Sequence, residues 1–172
     1  MGPGLRRDGV ICGKGAMYAN WMTPSFPGEV DKLRAEEGKA MDHRAFASAT
    51  ELSAEIRDRR IGCLELLDFY LARAERHNPA LNAIIAWQID VARQRARDAD
   101  AALAKGEVWG PLHGIPMTVK ESFNVAGLPT TFGNPLWKDN IAADNAFLID
   151  RLLQAGAIVF GKTSQTYLKF RD

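Results

Sequence analysis

The sequence predicts an α/β fold in which short apolar strands alternate with amphipathic helices. Three apolar runs, each bounded by glycine, proline or polar residues, are typical of buried strands. Segments with helical spacing of apolar residues, most of them opened by a capping residue, lie around these runs. The 172 residues are 47% hydrophobic and 25% charged, which is an ordinary globular composition, so we expect the chain to bury a core.

The start of the chain lacks the patterns of packed structure. Its first 40 residues hold seven of the fifteen glycines and three prolines, with no sustained apolar period. We therefore expect residues 1–45 to form a disordered extension. Met41 directly precedes the first helix signals, so we expect translation to begin there. N-terminal sequencing of the native protein that found residues 1–40 would contradict this expectation.

Two helices are predicted next. Ser48 and Glu51 form an S-x-x-E capping box that opens a helix ending near Arg60, where a cluster of arginines suits the negative end of the helix dipole. A second helix is predicted over residues 63–77, and the Asn-Pro pair that follows is expected to stop it. The apolar face of this second helix is predicted to consist of Leu64, Leu67, Leu71 and Ala74.

The middle of the chain predicts a strand, a helix and a second strand. Residues 81–87 are a short apolar run, which favours a buried strand. Asp90 is expected to cap the third helix and Gly106 to end it. Residues 115–121 are predicted to be the second strand. The buried stripe of the third helix is predicted to consist of Ala92, Ala96, Ala99 and Leu103.

The last predicted elements are a helix and a strand. Asp144 is expected to cap the fourth helix, which buries Ile149, Leu152 and Leu153 and stops at Gly156. Residues 157–160 follow as the third strand. The order strand, helix, strand predicts a βαβ unit with parallel strands. In such sheets the ligand crevice lies outside the carboxyl ends of the strands, and Lys120 and Lys162 are predicted to stand at two such ends.

Charge and cysteine content narrow the function classes. The 22 basic and 21 acidic side chains give a formal charge of +1, so we expect neither a nucleic acid nor a membrane as partner. Cys12 and Cys63 imply no disulfide framework, and the three histidines are scattered, so we expect no metal or other cofactor. With no apolar run near 20 residues and no secretory signal, we expect a cytoplasmic protein that binds a small ligand.

Lys120 is the candidate chemical centre. It ends a short apolar strand between loops rich in glycine and proline. Strand alternation places Lys120 on the face of Thr118, opposite Met117 and Val119, and we expect that face to be partly buried. Burial disfavours a charged ammonium and can lower a lysine pKa by several units, which makes lysine a usable general base. The alternative is a surface lysine, or one paired with Glu121.

The residues around Lys120 resemble the amidase signature family. Gly-Pro-Leu-His-Gly-Ile-Pro precedes the lysine and Gly-Leu-Pro-Thr-Thr follows it, and the likeness spans about residues 49–163. The resemblance implies a mixed sheet flanked by helices and hydrolysis of a small-molecule amide by a Ser, cis-Ser, Lys triad. Lys120 falls at the position of the catalytic lysine. It would take a proton from the cis-serine, which activates the nucleophilic serine to form a covalent intermediate.

The resemblance also implies that this chain is a fragment. Residues 46–163 correspond to the N-terminal portion of an amidase domain, and we expect residues 164–172 to be a divergent tail. The family carries both triad serines downstream of this portion. We therefore expect the truncated chain to be inactive alone, because the nucleophile and the oxyanion hole are needed for acyl transfer.

Three other residue types near Lys120 are candidates for a role at this site. Thr130 and Thr131 resemble a threonine pair near the family's active site, which implies substrate binding, although hydroxyls in such a loop also serve turn chemistry. Ser122 follows closely after Lys120, but we do not expect it to be catalytic. His113 is expected to bond backbone rather than to catalyse.

Two alternative functions remain open at this point. Gly156–Thr163 satisfies the phosphate-loop pattern G-x-x-x-x-G-K-T, which would indicate a nucleotide-binding module. Its four intervening residues are apolar and favour a buried strand, and a helix rather than a strand precedes it. The other alternative is a non-catalytic fragment whose unpaired strands and apolar helix faces promote self-association.

Overall fold

The structure is a computed structural model that describes residues 43–165. Residues 1–42, which hold most of the predicted extension, and residues 166–172 of the predicted tail lie outside this range. The first element within the described range is a 3-10 turn at His43–Ala45, inside the segment predicted to be an extension. The elements are α1 (Ala49–Arg57), α2 (Cys63–Leu81), β1 (Ile84–Trp87), α3 (Ile89–Ala104), β2 (Pro116–Lys120), a 3-10 turn (Pro135–Trp137), α4 (Phe147–Gln154) and β3 (Ile158–Thr163).

The three strands form one mixed sheet in the order β1-β3-β2. β2 and β3 are parallel, which confirms the predicted strand, helix, strand unit, and β1 is antiparallel to β3. The backbone bond from Ile158 N–H to the Ile115 carbonyl, at 2.8 Å, opens the parallel pairing. The α/β fold with a sheet flanked by helices is therefore confirmed for the described residues. None of the helices in that range is long and apolar enough to span a membrane.

The central strand β3 is covered on both faces. Ile158 and Phe160 pack into a core with the first three helices, and Val159 packs into a second core with Ile149 of α4 and Val119 of β2. Such alternation is expected of a central strand that has apolar layers on both sides. A long polar side chain on β3 therefore enters a buried layer whichever face it takes.

The local signals at α1 are confirmed, whereas the predicted cap of α3 is wrong: its N-cap is Gln88, which makes no side-chain cap bond, and Asp90 lies in the first turn. The Glu51 N–H donates to Ser48 Oγ at 3.2 Å, and the Ser48 N–H donates to the Glu51 carboxylate at 2.7 Å, which completes the capping box. The helix ends at Arg57, three residues earlier than predicted. In α3 the predicted alanine stripe is buried, with Leu103 only partly buried beside it.

The end of α2 differs from the prediction. The helix continues to Leu81 and contains Pro79, whereas we expected the Asn-Pro pair to stop it near His77. The carboxamide of Asn78 exchanges two hydrogen bonds with the backbone of Ile84, at 2.8 and 2.9 Å. These bonds hold the last turn in place, so β1 begins at Ile84 and Leu81 is left exposed.

One further boundary and one helix face also differ from the prediction. β3 extends through Thr163 instead of ending at Phe160, because its last residues pair with both neighbouring strands. On α2 the predicted Leu64 and Ala74 are only half-buried. The buried residues of α2 are Cys63, Leu66, Leu67, Leu71 and Ala72.

Candidate functional site

Lys120 is the last residue of β2 and pairs in register with Thr163. Its side chain is exposed, so the burial predicted for it is not found in this chain. The reason is its place in the sheet: β2 is an edge strand of the described sheet, and Lys120 is its last residue. Within residues 43–165 the Lys120 ammonium makes no ion pair, and Glu121 is engaged elsewhere.

Lys162 takes the buried position instead. Its side chain is fully buried near the end of β3, in register with Val119. The ammonium donates to Thr130 Oγ1 at 2.8 Å and to the carbonyl of Pro129. Burial lowers the pKa of Lys162 to about 8, and the nearby Glu121 carboxylate acts in the opposite direction by favouring the charged form.

Glu121 is a second buried charged residue within residues 43–165, with 2% of its surface exposed. Its carboxylate accepts the N–H of Phe132 at 2.9 Å and the N–H of Thr131. Its own N–H donates to the Thr163 carbonyl at 3.0 Å, which extends the parallel ladder by one residue. A buried carboxylate needs such donors, because without them its desolvation would be strongly unfavourable.

The two predicted threonines lie in different environments. Thr130 is buried, its hydroxyl accepts the bond from Lys162, and its backbone exchanges two bonds with Asn140, at 2.9 and 2.7 Å. Thr131 is half-buried, and its Oγ1 accepts the N–H of Gly133 at 3.1 Å, which is turn chemistry. Thr131 lines a pocket beside the strand ends, whereas Thr130 and Lys120 are not among the residues that line it.

This pocket is small, with a volume of about 110 Å³. It lies beside the carboxyl ends of β2 and β3, where the ligand crevice of an α/β sheet is expected. Among residues 43–165 no three His, Cys, Asp or Glu side chains are grouped so that they could hold a metal ion. The pocket is lined by Asn82, Ile85, Glu121, Thr131, Gly133, Ser164 and Gln165.

His113 lies away from this pocket. Its ring is buried and Nδ1 accepts the backbone N–H of Trp109 at 3.1 Å, in agreement with the predicted backbone bond. Burial lowers the pKa of His113, so its neutral form is favoured. Ser122 is half-buried directly after Glu121. Neither residue contributes a side chain to the pocket lining.

The phosphate-loop pattern at Gly156–Thr163 does not form a phosphate loop. Gly156 has a φ of +100° in the turn between α4 and β3, and the residues from Ile158 onward are strand. A Cβ on Gly161 would lie 2.7 Å from the Ala86 carbonyl, so the backbone is already packed against β1. With Lys162 bonded inside the protein, this segment offers no cradle of free amides, and the nucleotide-binding alternative is wrong.

Sequence reasoning missed the buried pair of charges. It placed Lys162 at a strand end and within the phosphate-loop pattern, and it treated Glu121 only as a partner for Lys120. A usable signal was present: a lysine inside an otherwise apolar strand, and an acidic residue directly after the neighbouring strand. Lysine and glutamate are almost never fully buried without partners, so a lysine and a glutamate in buried positions indicate hydrogen-bond partners inside the protein.

Comparison with known sequences gives a consistent result. The family model described as amidase matches residues 65–170. The chain is 38% identical over 119 residues to the acylamidase of Rhodococcus erythropolis, covering 69% of this chain and 25% of that protein. It is 39% identical over 124 residues to the indoleacetamide hydrolase of Bradyrhizobium diazoefficiens, covering 72% and 24%. One subunit of the glutamyl-tRNA(Gln) amidotransferase of Azoarcus sp. is 39% identical over 118 residues, covering 69% and 24%.

Solved structures agree with the sequence matches. Fatty acid amide hydrolase superposes with a TM-score of 0.69 at 28% identity, covering 80% of this chain and 25% of that one. The native peptide amidase of Stenotrophomonas maltophilia superposes with a TM-score of 0.64 at 32% identity, covering 70% and 25%. The chain thus spans about a quarter of the length of the curated relatives that it matches.

Proposed function

Because the chain belongs to the amidase family, we propose that the protein containing it hydrolyses carbon–nitrogen bonds of amides, with Lys120 as the proton acceptor. One observation carries the assignment to Lys120. Of the charged groups at the carboxyl ends of β2 and β3, Glu121 and Lys162 are bonded inside the protein, whereas Lys120 is exposed and has no ion-pair partner within the described range. It is the amine that remains available for chemistry.

The proposed reaction follows the family resemblance. Lys120 accepts a proton from the cis-serine, and the nucleophilic serine oxygen attacks the amide carbonyl. The carbon–nitrogen bond then breaks, the amine leaves with a proton, and water cleaves the resulting acyl ester. Both serines would come from polypeptide outside residues 43–165.

The two threonines receive separate roles in this proposal. Thr131 lines the pocket beside Glu121 and would contact the substrate directly. Thr130 is enclosed and would act through Lys162, to which its hydroxyl is bonded. A small-molecule amide fits a pocket of about 110 Å³ better than a macromolecular chain does. The relatives carry names that refer to different amides, so several classes of amide should be compared as substrates.

A chimera tests the proposed activity. The segment of the Rhodococcus erythropolis acylamidase that matches this chain is replaced by residues 46–163, and ammonia release from aliphatic and aryl primary amides is measured. We expect the chimera to turn over at least one of these amides, and we expect the 172-residue chain alone to release no ammonia. A folded chimera without activity on any amide would contradict the proposed function. Turnover by the chain alone would contradict the role given to outside serines.

Self-association is the proposed property of the isolated chain. Leu136 is 88% exposed and Phe147 is 79% exposed, and both β1 and β2 are edges of the described sheet. Exposed apolar side chains and unpaired strand edges promote association. Size-exclusion chromatography of the 172-residue chain should show species larger than a monomer. A compact monomer across a wide concentration range would contradict this proposal.

A further inference from the structure

We propose that Glu121 and Lys162 are positioning residues that together hold the segment 129–133 against the carboxyl ends of β2 and β3 and thereby set one wall of the pocket. The reaction carried out at this pocket depends on the proposed function, but the positioning role does not. The geometry of the segment can be measured without any substrate.

The two charged side chains direct their bonds to one short segment. Lys162, from β3, donates to the Pro129 carbonyl and to Thr130 Oγ1. Glu121, directly after β2, accepts the N–H groups of the next two residues, Thr131 and Phe132. Four consecutive residues are therefore held from two neighbouring strands. Charge-assisted hydrogen bonds are stronger than neutral ones, particularly where water is excluded.

The held segment has a backbone that would not persist unaided. Phe132 has a φ of +53° and Gly133 a φ of +71°, so two successive residues lie in the left-handed region. That region is disfavoured for a residue with a Cβ, and a bulky aromatic side chain is an uncommon occupant. Successive N–H groups that converge on one carboxylate form a backbone nest, which stabilises such a conformation. The Glu121 carboxylate is the anion of this nest.

The pocket depends on this segment, because two of its residues line the pocket. Thr131 and Gly133 form part of the wall, and the residue between them carries the unfavourable φ. If the carboxylate or the ammonium were lost, the segment would relax and the wall would move. Strained backbone that is held by surrounding bonds is concentrated at functional sites. Glu121 also follows Lys120 directly, so the same bonds fix the strand end that presents the proposed base.

The first test uses nuclear magnetic resonance on the 172-residue chain. Glu121→Gln keeps the side-chain size but removes the charge and leaves one acceptor in place of two. Hydrogen exchange of the Thr131 and Phe132 amides should accelerate by about tenfold or more, while amides within α2 exchange as before. The titration midpoint of the Lys162 side chain should also move to lower pH, because the anion that favours its charged form is gone.

A matched control and a milder variant complete this test. Glu107→Gln changes an exposed carboxylate in a loop and should leave both measurements unchanged. If Glu121→Gln does not fold, Thr130→Val removes one acceptor of Lys162 with little change of volume, and the Lys162 midpoint should again fall. Unchanged exchange at Thr131 and Phe132 in Glu121→Gln, or an unchanged Lys162 midpoint in Thr130→Val, would overturn the proposal.

The chimera separates this inference from the proposed function. In the chimera, Glu121→Gln should raise KM by about tenfold with a smaller loss of kcat, because a displaced pocket wall weakens substrate binding more than it alters the reacting atoms. An inactive chimera would count against the proposed amide hydrolysis alone. Normal kinetics in an active Glu121→Gln chimera would count against the positioning role alone, and the exchange measurement decides that role independently of activity.

Discussion

Lys120 ends β2 and Lys162 is the second-last residue of the neighbouring parallel strand β3, but the two side chains point to opposite faces of the sheet. The register pairs Lys162 with Val119, whose side chain is buried in the second core, and Lys120 is the next residue along β2. Successive strand residues face opposite sides, so the two amines are separated by the sheet. The Lys162 ammonium therefore bonds inside the protein, to residues 129 and 130, whereas the Lys120 amine is exposed at the strand end.

The first prediction concerns the pH dependence of stability. Folding lowers the pKa of Lys162 from 10.5 to about 8. Between these values the unfolded chain binds a proton that the folded chain does not, so stability rises with pH in this window. Relative to Lys162→Met, the wild type should gain up to about 3 kcal/mol in unfolding free energy between pH 8 and pH 10.5. Urea denaturation of both proteins at several pH values measures this difference.

Lys138→Met is the control for that series, because the Lys138 side chain is 67% exposed. Its stability difference from the wild type should stay flat over the same pH window. The difference in unfolding free energy between the wild type and Lys162→Met should grow with pH. If it stayed constant or became smaller as pH rose, Lys162 would not be buried as described.

A second prediction compares two glycines with similar backbone angles. Gly114 has a φ of +75°, and a Cβ there would lie 2.2 Å from the Cys63 Sγ, whereas Gly106 has a φ of +83° with nothing within 4 Å. Both alanine variants bear the left-handed penalty of about 1 kcal/mol. Gly114→Ala must also displace the start of α2, so it should cost about 2 kcal/mol more than Gly106→Ala in thermal or urea unfolding.

The contact responsible can be checked by a second substitution. Cys63→Ala removes the sulfur that a Gly114 side chain would meet, so it should recover part of the loss in the Gly114→Ala background. Equal losses for the two glycine variants, or no recovery, would show that the loop before β2 does not pack on α2 as described.

The third prediction is that Cys63 is unreactive in the folded chain. Burial, and then the Asp100 carboxylate, raise the pKa of the Cys63 thiol to about 12. Because the thiolate is the reacting species, alkylation by iodoacetamide at pH 8 should be about a thousandfold slower than in urea. Mass spectrometry of the peptide that contains Cys63 gives both rates and separates it from Cys12. Similar rates in the two conditions would contradict the burial of this helix start.

Much of the fold could be predicted from local patterns. The capping box of Ser48 and Glu51 was visible because both partners lie within one turn, and the alanine stripe of α3 because its spacing matches the helical period. The parallel pairing of β2 and β3 followed from the order of elements. The end of α2 could not be predicted in this way, since it depends on the bonds of Asn78 to Ile84 across the turn.

The site was harder to predict because it depends on tertiary packing. Simple alternation would place Lys162 on the face of Ile158 and Phe160. The register shifts between Met117 and Thr118, so β3 carries an extra residue and Lys162 turns to the other face. No local sequence pattern predicts such a bulge. The exposure of Lys120 likewise depends on which parts of the protein cover an edge strand. The alternation of residues along β2 gives no information about that coverage.

The most direct measurement is the initial rate of ammonia release by the acylamidase chimera that carries residues 46–163, with Lys120→Ala compared with Lys138→Ala. If Lys120 is the base, its replacement should lower kcat by about a thousandfold while the fold is retained, because a positioned general base contributes on that order. Lys138→Ala, at an exposed lysine, should leave the rate unchanged. A Lys120→Ala chimera that hydrolyses amides as fast as the Lys138→Ala control would contradict the account.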